Sequence, residues 1–124
     1  MKQKTVSQLK KILWKIFSEY IRKRDQGVCY TCNKKDEWKN MQAGHYVSRS
    51  HNSLLFDERN VHCQCRACNI FKKGNIDSYA LHLTKDYGTH ILEILDYEKH
   101  QIKQFTIMEL EDLIKVYKNK ILTL

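Results

Sequence analysis

Two cysteine pairs limit what this chain can fold into. Cys29-Tyr-Thr-Cys32 and Cys65-Arg-Ala-Cys68 are both C-x2-C. A C-x2-C turn places two thiolates at tetrahedral spacing on one metal. Two such knuckles complete a closed four-sulfur zinc site. The chain has 124 residues and reads as one domain. Its core can only be modest, and small domains often lean on a metal or a disulfide. The opening stretch, "MKQKTVSQLKKILWKIF", is lysine-rich without an unbroken apolar core, so it is not read as a secretory leader. No segment approaches the roughly 18 apolar residues of a membrane span. The expected setting is cytoplasmic, with no membrane partner. There, paired cysteines serve as metal ligands more often than as disulfides. Cys63 lies outside the pair spacing and is expected to be a small buried residue.

Charge is unevenly spread. Residues 1–40 hold 11 basic and 4 acidic side chains, residues 41–76 hold 5 and 2, and residues 77–124 hold 6 and 8. A cationic block covering two thirds of the chain suits a polyanion, most simply nucleic acid. Helical patterns flank the middle. Leu9, Ile12, Leu13, Ile16, Phe17, Tyr20 and Ile21 form one stripe over residues 5–24, opened by a Thr5/Gln8 capping box. A second helix is expected from Asn75 or Asp77 to about Tyr87, with Gly88 as its stop. A short helix should start at Thr89, followed by a polar loop from Asp96 to Phe105. Thr106 and Glu109 predict another capping box on a last helix striped by Ile107, Leu110, Leu113, Ile114, Tyr117 and Ile121.

The knuckles stand unusually far apart. Thirty-two residues separate Cys32 from Cys65, where plain zinc ribbons need about 15–20. The added length holds "QAGHYVSRSHNSLLFDERNVHCQCRACN". His45 lies in a short alternating stretch fit for a strand. Asn60 falls five residues before Cys65, Asn69 directly follows Cys68, and Lys72 and Lys73 come next. Phosphodiester hydrolysis needs a base for water, a cation on the phosphate oxygens and help for the leaving group. A histidine suits the first role at neutral pH. Asn69 offers an oxygen to magnesium or manganese, which prefer oxygen ligands. Arg49, Arg66, Lys72 and Lys73 could position DNA by its phosphates.

This layout resembles the HNH, or His-Me finger, nucleases, reading here as His45–Asn60–Asn69 over residues 29–76. A longer likeness runs through "QAGHYVSRSHN", "FDERNVHCQCRACN" and "GNIDSYALHL…YG". These strings resemble the phage NinG, or Rap, recombination proteins, which are similar to endonucleases of branched DNA. The resemblance implies an α+β fold: a zinc-braced ββα-metal core at 27–77, an N-terminal helix at 1–26 and C-terminal helices at 78–124. It implies that His45 activates water and that Asn60 orients its loop. Cys29, Cys32, Cys65 and Cys68 would hold structural zinc, and Asn69 a catalytic magnesium or manganese. The helix opened by Asn69 would face His45 across the phosphate. The substrate would be Holliday junctions or D-loops, inside a bacterial host's cytoplasm, with a homodimer and recombination proteins as expected partners. One departure stands out. Many HNH sites carry aspartate or histidine before the base, where this chain has Gly44. Asp57, Glu58 or His62 must then complete the metal site, Asp57 first, although Glu58 could instead pair with Arg59 or Arg49. Two rival readings remain: a non-catalytic zinc-ribbon DNA-binding module, and an HNH nuclease of linear or sequence-specific DNA.

Overall fold

The computed structural model describes residues 2–124. Helix α1 spans Val6–Arg24. The Thr5 hydroxyl accepts from the Gln8 amide, and the Gln8 side chain accepts from the Thr5 amide, so the capping box is complete. Such a cap is worth about 1 kcal/mol. Leu9, Leu13, Phe17, Tyr20 and Ile21 are its buried face. That face packs on α4, Ile107–Leu122, through Leu110 and Tyr117. The Thr106 hydroxyl caps α4 at the Glu109 amide. The return bond of a capping box is replaced, because the Glu109 carboxylate takes Lys103 instead.

Between these helices lies a two-stranded antiparallel sheet. Strand β1 is Gln42–His45 and β2 is Val61–Gln64, paired Gln42↔Gln64, Ala43↔Cys63, Gly44↔His62 and His45↔Val61. Side chains alternate along a strand, and directly paired residues share a face. Ala43 and Val61 therefore join the α1/α4 core. The opposite face, carrying Gln42, Gly44, His62 and Gln64, meets the second knuckle and α2, Ile76–Tyr87. All four residues of β2 are buried because both of its faces are covered. A second apolar cluster joins Leu54 to Tyr79 and Leu83 of α2 and to Ile91 and Leu95 of α3, Ile91–Lys99.

The architecture is helical with one small sheet, an α+β arrangement. Besides the half-formed α4 cap, three local expectations need correction. Helix α3 begins at Ile91 rather than Thr89. The helix predicted to open at Asn69 is a single five-residue turn, Ala67–Phe71. Positive φ at Lys73, Gly74 and Asn75 breaks the chain there, before α2 begins. The loop predicted from Asp96 starts later, because Leu95 is fully buried and α3 continues to Lys99. Gly88 does end α2, at φ +98°.

His62 anchors β2 to α2. Tyr79 donates its hydroxyl to the Gly44 carbonyl at 2.7 Å, so that hydroxyl accepts from His62 Nδ1 at 3.1 Å. Nε2 then accepts from Tyr87 at 3.0 Å, and the ring stacks on Tyr30 at 3.8 Å. Burial, helped by the nearby Arg24 charge, pushes its pKa down to about 4. An unfolded histidine titrates near 6.5. Between 6.5 and 4 the unfolded chain binds a proton that the folded chain refuses. Stability therefore falls as pH falls through that window, by on the order of 3 kcal/mol for this group when complete. Urea unfolding at pH 7 and pH 4.5 should show a smaller loss in His62→Gln than in wild type. Equal losses would remove this role for His62.

Candidate active site and zinc-binding cysteines

The two knuckles converge. The Sγ atoms of Cys29, Cys32, Cys65 and Cys68 all lie within 4.8 Å of one another. A tetrahedral four-sulfur zinc site needs sulfurs about 3.8 Å apart, and Cys32 and Cys65 stand at 3.6 Å. These four side chains could hold a zinc ion. Gly27 makes the first knuckle possible: at φ +70°, a Cβ there would sit 2.0 Å from the Asp36 carbonyl oxygen. The Tyr30 amide donates to the Cys63 carbonyl and ties this knuckle to β2. Burial alone would raise the Cys29 pKa. Hydrogen bonds from the Thr31 hydroxyl and nearby backbone amides overcome it and bring the pKa to about 6. Burial raises the Cys32 thiol, with neighbouring sulfurs adding to the rise. Within the first knuckle, Cys29 therefore ionises before Cys32. Cys63 is fully buried and outside this group of four.

His45 ends β1 on the face toward α1. Its ring stacks on Trp14 at 4.8 Å, and Nε2 lies 3.1 Å from the Leu55 carbonyl oxygen. A carbonyl only accepts, so Nε2 carries the proton and Nδ1 keeps its lone pair. Burial lowers the His45 pKa. The Leu55 bond opposes that effect, and the Arg49 charge adds to it. The ring is therefore neutral at neutral pH.

Asn60 fixes the segment that supplies this carbonyl. Fully buried at the end of the 46–60 connection, it accepts from the Val47 amide at 2.7 Å. Its Nδ2 donates to the Val47 and Leu54 carbonyls at 3.0 and 3.1 Å. Both limbs of the loop are clamped beside Leu55.

Asn69 meets the opposite face of β1, so the expectation that its turn would face His45 is corrected: the two side chains sit on either side of the strand. Asn69 Nδ2 donates to Gln42 Oε1 at 2.8 Å. Its Oδ1 lies 2.8 Å from where a Cβ on Gly44 would be. Gln64 Oε1 lies only 1.7 Å from that same point. Gln64 is completely buried, and its Nε2 donates to Thr31 Oγ1 and the Gly74 carbonyl at 3.1 and 2.8 Å. Its Oε1 is the one buried side-chain oxygen or nitrogen without a hydrogen bond among the described residues. Two amide oxygens thus meet over a position that has no side chain. Oxygens are the donors that magnesium and manganese take, so these two atoms are the ones a hard cation would use here.

Other candidate residues sit elsewhere. Asp57 places both carboxylate oxygens on Arg59, at 3.0 and 2.8 Å. It is engaged in an ion pair rather than presented to Asn69. Glu58 pairs with neither Arg59 nor Arg49. It binds Lys120 at 2.7 Å, Tyr117 at 2.9 Å and Tyr20 at 3.1 Å, locking α1 to α4. His62 belongs to the tyrosine cluster, and His51 contacts the Lys99 carbonyl at 3.2 Å. Arg49, Arg66, Lys72 and Lys73 are exposed, and none forms an ion pair among the described residues. Arg49 lies over the Trp14 ring at 5.2 Å. A cleft of about 600 Å³ opens there, lined by Lys10, Lys11, Trp14, Arg49, Leu55 and Phe56 among others. Neither Trp14 nor Gln64 belongs to the C-x2-C pairs or to the His45–Asn60–Asn69 pattern. A tryptophan among lysines of α1 was the available signal for the first. For Gln64, the only clue was a polar residue in a strand buried on both faces.

If zinc cross-links the knuckles, metal and fold are one equilibrium. Chelation, or Cys65→Ser, should release zinc and lower Tm by about 10 °C or more, read by metal analysis and circular dichroism. An unchanged melt after complete zinc removal would separate the fold from the cluster.

The NinG family model, described as the bacteriophage lambda NinG protein, matches residues 1–124. The chain is 31% identical over 106 residues to protein ninG of Escherichia phage 933W, covering 82% of this chain and 51% of that protein. Identity and chain coverage are the same for the ninG proteins of phage lambda and Salmonella phage P22, each half covered. The chain spans about half the length of these curated relatives. No solved structure matches it. No described helix is long and apolar enough to cross a membrane. Matched along its whole length, the chain belongs to the NinG family of bacteriophage proteins.

Proposed function

We propose that this chain is a metal-dependent DNA endonuclease of HNH type, acting on branched DNA. One observation carries the reading: His45 Nε2 is bound to the Leu55 carbonyl, within a loop clamped by Asn60. That bond leaves Nδ1 as an acceptor, and the lowered pKa keeps it free of a proton at pH 7. Nδ1 would take the proton of the attacking water. Asn60 contributes by position, holding the carbonyl that sets the tautomer. Trp14 restricts the ring from one side. Lys10, Lys11 and Arg49 line the cleft next to the histidine and would hold the DNA backbone by its phosphates. A magnesium or manganese ion held by Asn69 would offset charge gathering on the phosphate oxygens. Arg66, Lys72 and Lys73 stand on the turn beside Asn69, where they would meet the flanking phosphates.

The preference for branched DNA rests on the likeness to NinG recombination proteins. Symmetric cutting of a four-way junction suits a two-fold dimer. Met108, Val116 and Leu122 of α4 are exposed apolar residues that would form its interface. Sedimentation should then show a dimer on junction DNA. A monomer both free and bound would remove the dimer.

Cleavage of junction, flap and linear duplex with magnesium tests the main reading. His45→Ala should lose about 10²–10⁴-fold in rate while still binding junction DNA. The base works only when deprotonated, so activity should rise with pH through a midpoint below 6.5 and be flat at neutral pH. Unchanged cutting in His45→Ala would remove the catalytic role and leave a DNA-binding zinc module. Equal cutting of duplex and junction would leave a nuclease without the branched preference.

A further inference from the structure

We infer that Gln64 supplies the cation ligand that residue 44 lacks, so that Gln64 Oε1 and Asn69 Oδ1 together form an uncharged oxygen site for a divalent metal. This rests on the nuclease reading for its role in the reaction, but not for its geometry. The register puts Gln64 on the same sheet face as Gly44, one pair away. From there its carboxamide reaches back over Gly44 and puts an oxygen where a residue-44 side chain would begin. The orientation is fixed, because both bonds of Nε2 are made to neighbours on the other side. A buried amide oxygen without a hydrogen bond is costly, on the order of 1–3 kcal/mol. A cation held between it and Asn69 Oδ1, beside rather than at the residue-44 position, would satisfy it. Any side chain on residue 44 would collide with Gln64, so glycine and glutamine here are two halves of one arrangement.

The donor set has a consequence. Asp57 and Glu58 are engaged by Arg59 and Lys120, so no carboxylate of the 56–60 stretch neutralises the ion. The DNA phosphate must supply the negative ligand. Ion and DNA should therefore bind together, each raising the other's affinity by the same factor.

The test uses Mn2+ as the probe, followed by electron paramagnetic resonance, with the full chain carrying His45→Ala so that junction DNA stays uncut. Mn2+ should bind weakly to the free protein and at least about tenfold more tightly with a four-way junction present. Adding Gln64→Ala should abolish that gain while leaving zinc content unchanged. Gln64→Glu should let Mn2+ bind without DNA, because the site then carries its own charge. If Gln64→Ala unfolds, Gly44→Asp combined with Gln64→Ala decides the matter: restored Mn2+ binding supports the exchange of ligands. Mn2+ binding that ignores every change at residue 64, or no binding with junction present, overturns the inference. Wild type that cuts normally while Mn2+ ignores Gln64 would sink the ligand and spare the nuclease. Gln64-dependent Mn2+ binding in a chain that cuts no DNA would do the reverse.

Discussion

Bringing four sulfurs to one point is the constraint on which the rest is built. It joins residues 29–32 to residues 65–68 across 32 intervening positions. The second knuckle carries the polar side chains of the proposed site directly beside its cysteines. Gln64 precedes Cys65 and Asn69 follows Cys68. The short turn Ala67–Phe71 has little packing of its own. Ile70 and Phe71 are exposed, and Cys68 is its buried residue. A five-residue turn of this kind could not hold Asn69 over Gly44 without an external tie. Tyr30, between the first two cysteines, extends the tie by bonding the Cys63 backbone and stacking on His62.

The two strands then act as a divider. On one face His45 is pressed between Trp14 and the Leu55 carbonyl. On the other, Gln64 and Asn69 converge over Gly44. Adjacent residues of one strand thus face two different surroundings; in the proposed reaction His45 would accept a proton on one side and the amide oxygens over Gly44 would adjoin the cation on the other. The helical frame has a part in this as well. Glu58 accepts from Tyr20, Tyr117 and Lys120, so the loop beneath His45 is bolted to both terminal helices. Burial would raise the Glu58 pKa, but those three partners lower it overall and keep the carboxylate charged. The terminal helices therefore help to set where the Leu55 carbonyl points.

Much of this was readable from local pattern. The four clustered cysteines, which could hold zinc, follow from spacing alone, because C-x2-C geometry is short-range. The α1 stripe and its capping box are equally local, and both are present. What could not be read depends on distant partners. Trp14 and His45 are 31 positions apart, and nothing in the helix pattern names the histidine as its neighbour. Asp57 looked available because its competitor, Arg59, serves equally well as a surface charge or as a bidentate partner until the loop is folded. The helix expected after Asn69 rests on asparagine as a ready helix cap. Positive φ at three consecutive residues, 73–75, ends it instead. Gly44 stands out in the sequence as a position without a ligand. That its emptiness is filled from the facing strand needed the register.

The decisive quantity is the protonation state of one ring. A long-range 1H–15N spectrum of the His45 imidazole in the zinc-loaded protein reports which nitrogen carries the proton. It should show the Nε2–H tautomer at pH 7, titrating below the ordinary imidazole value of about 6.5. A ring protonated at Nδ1, or one charged at pH 7, would leave no base in the place described and take the catalytic reading with it.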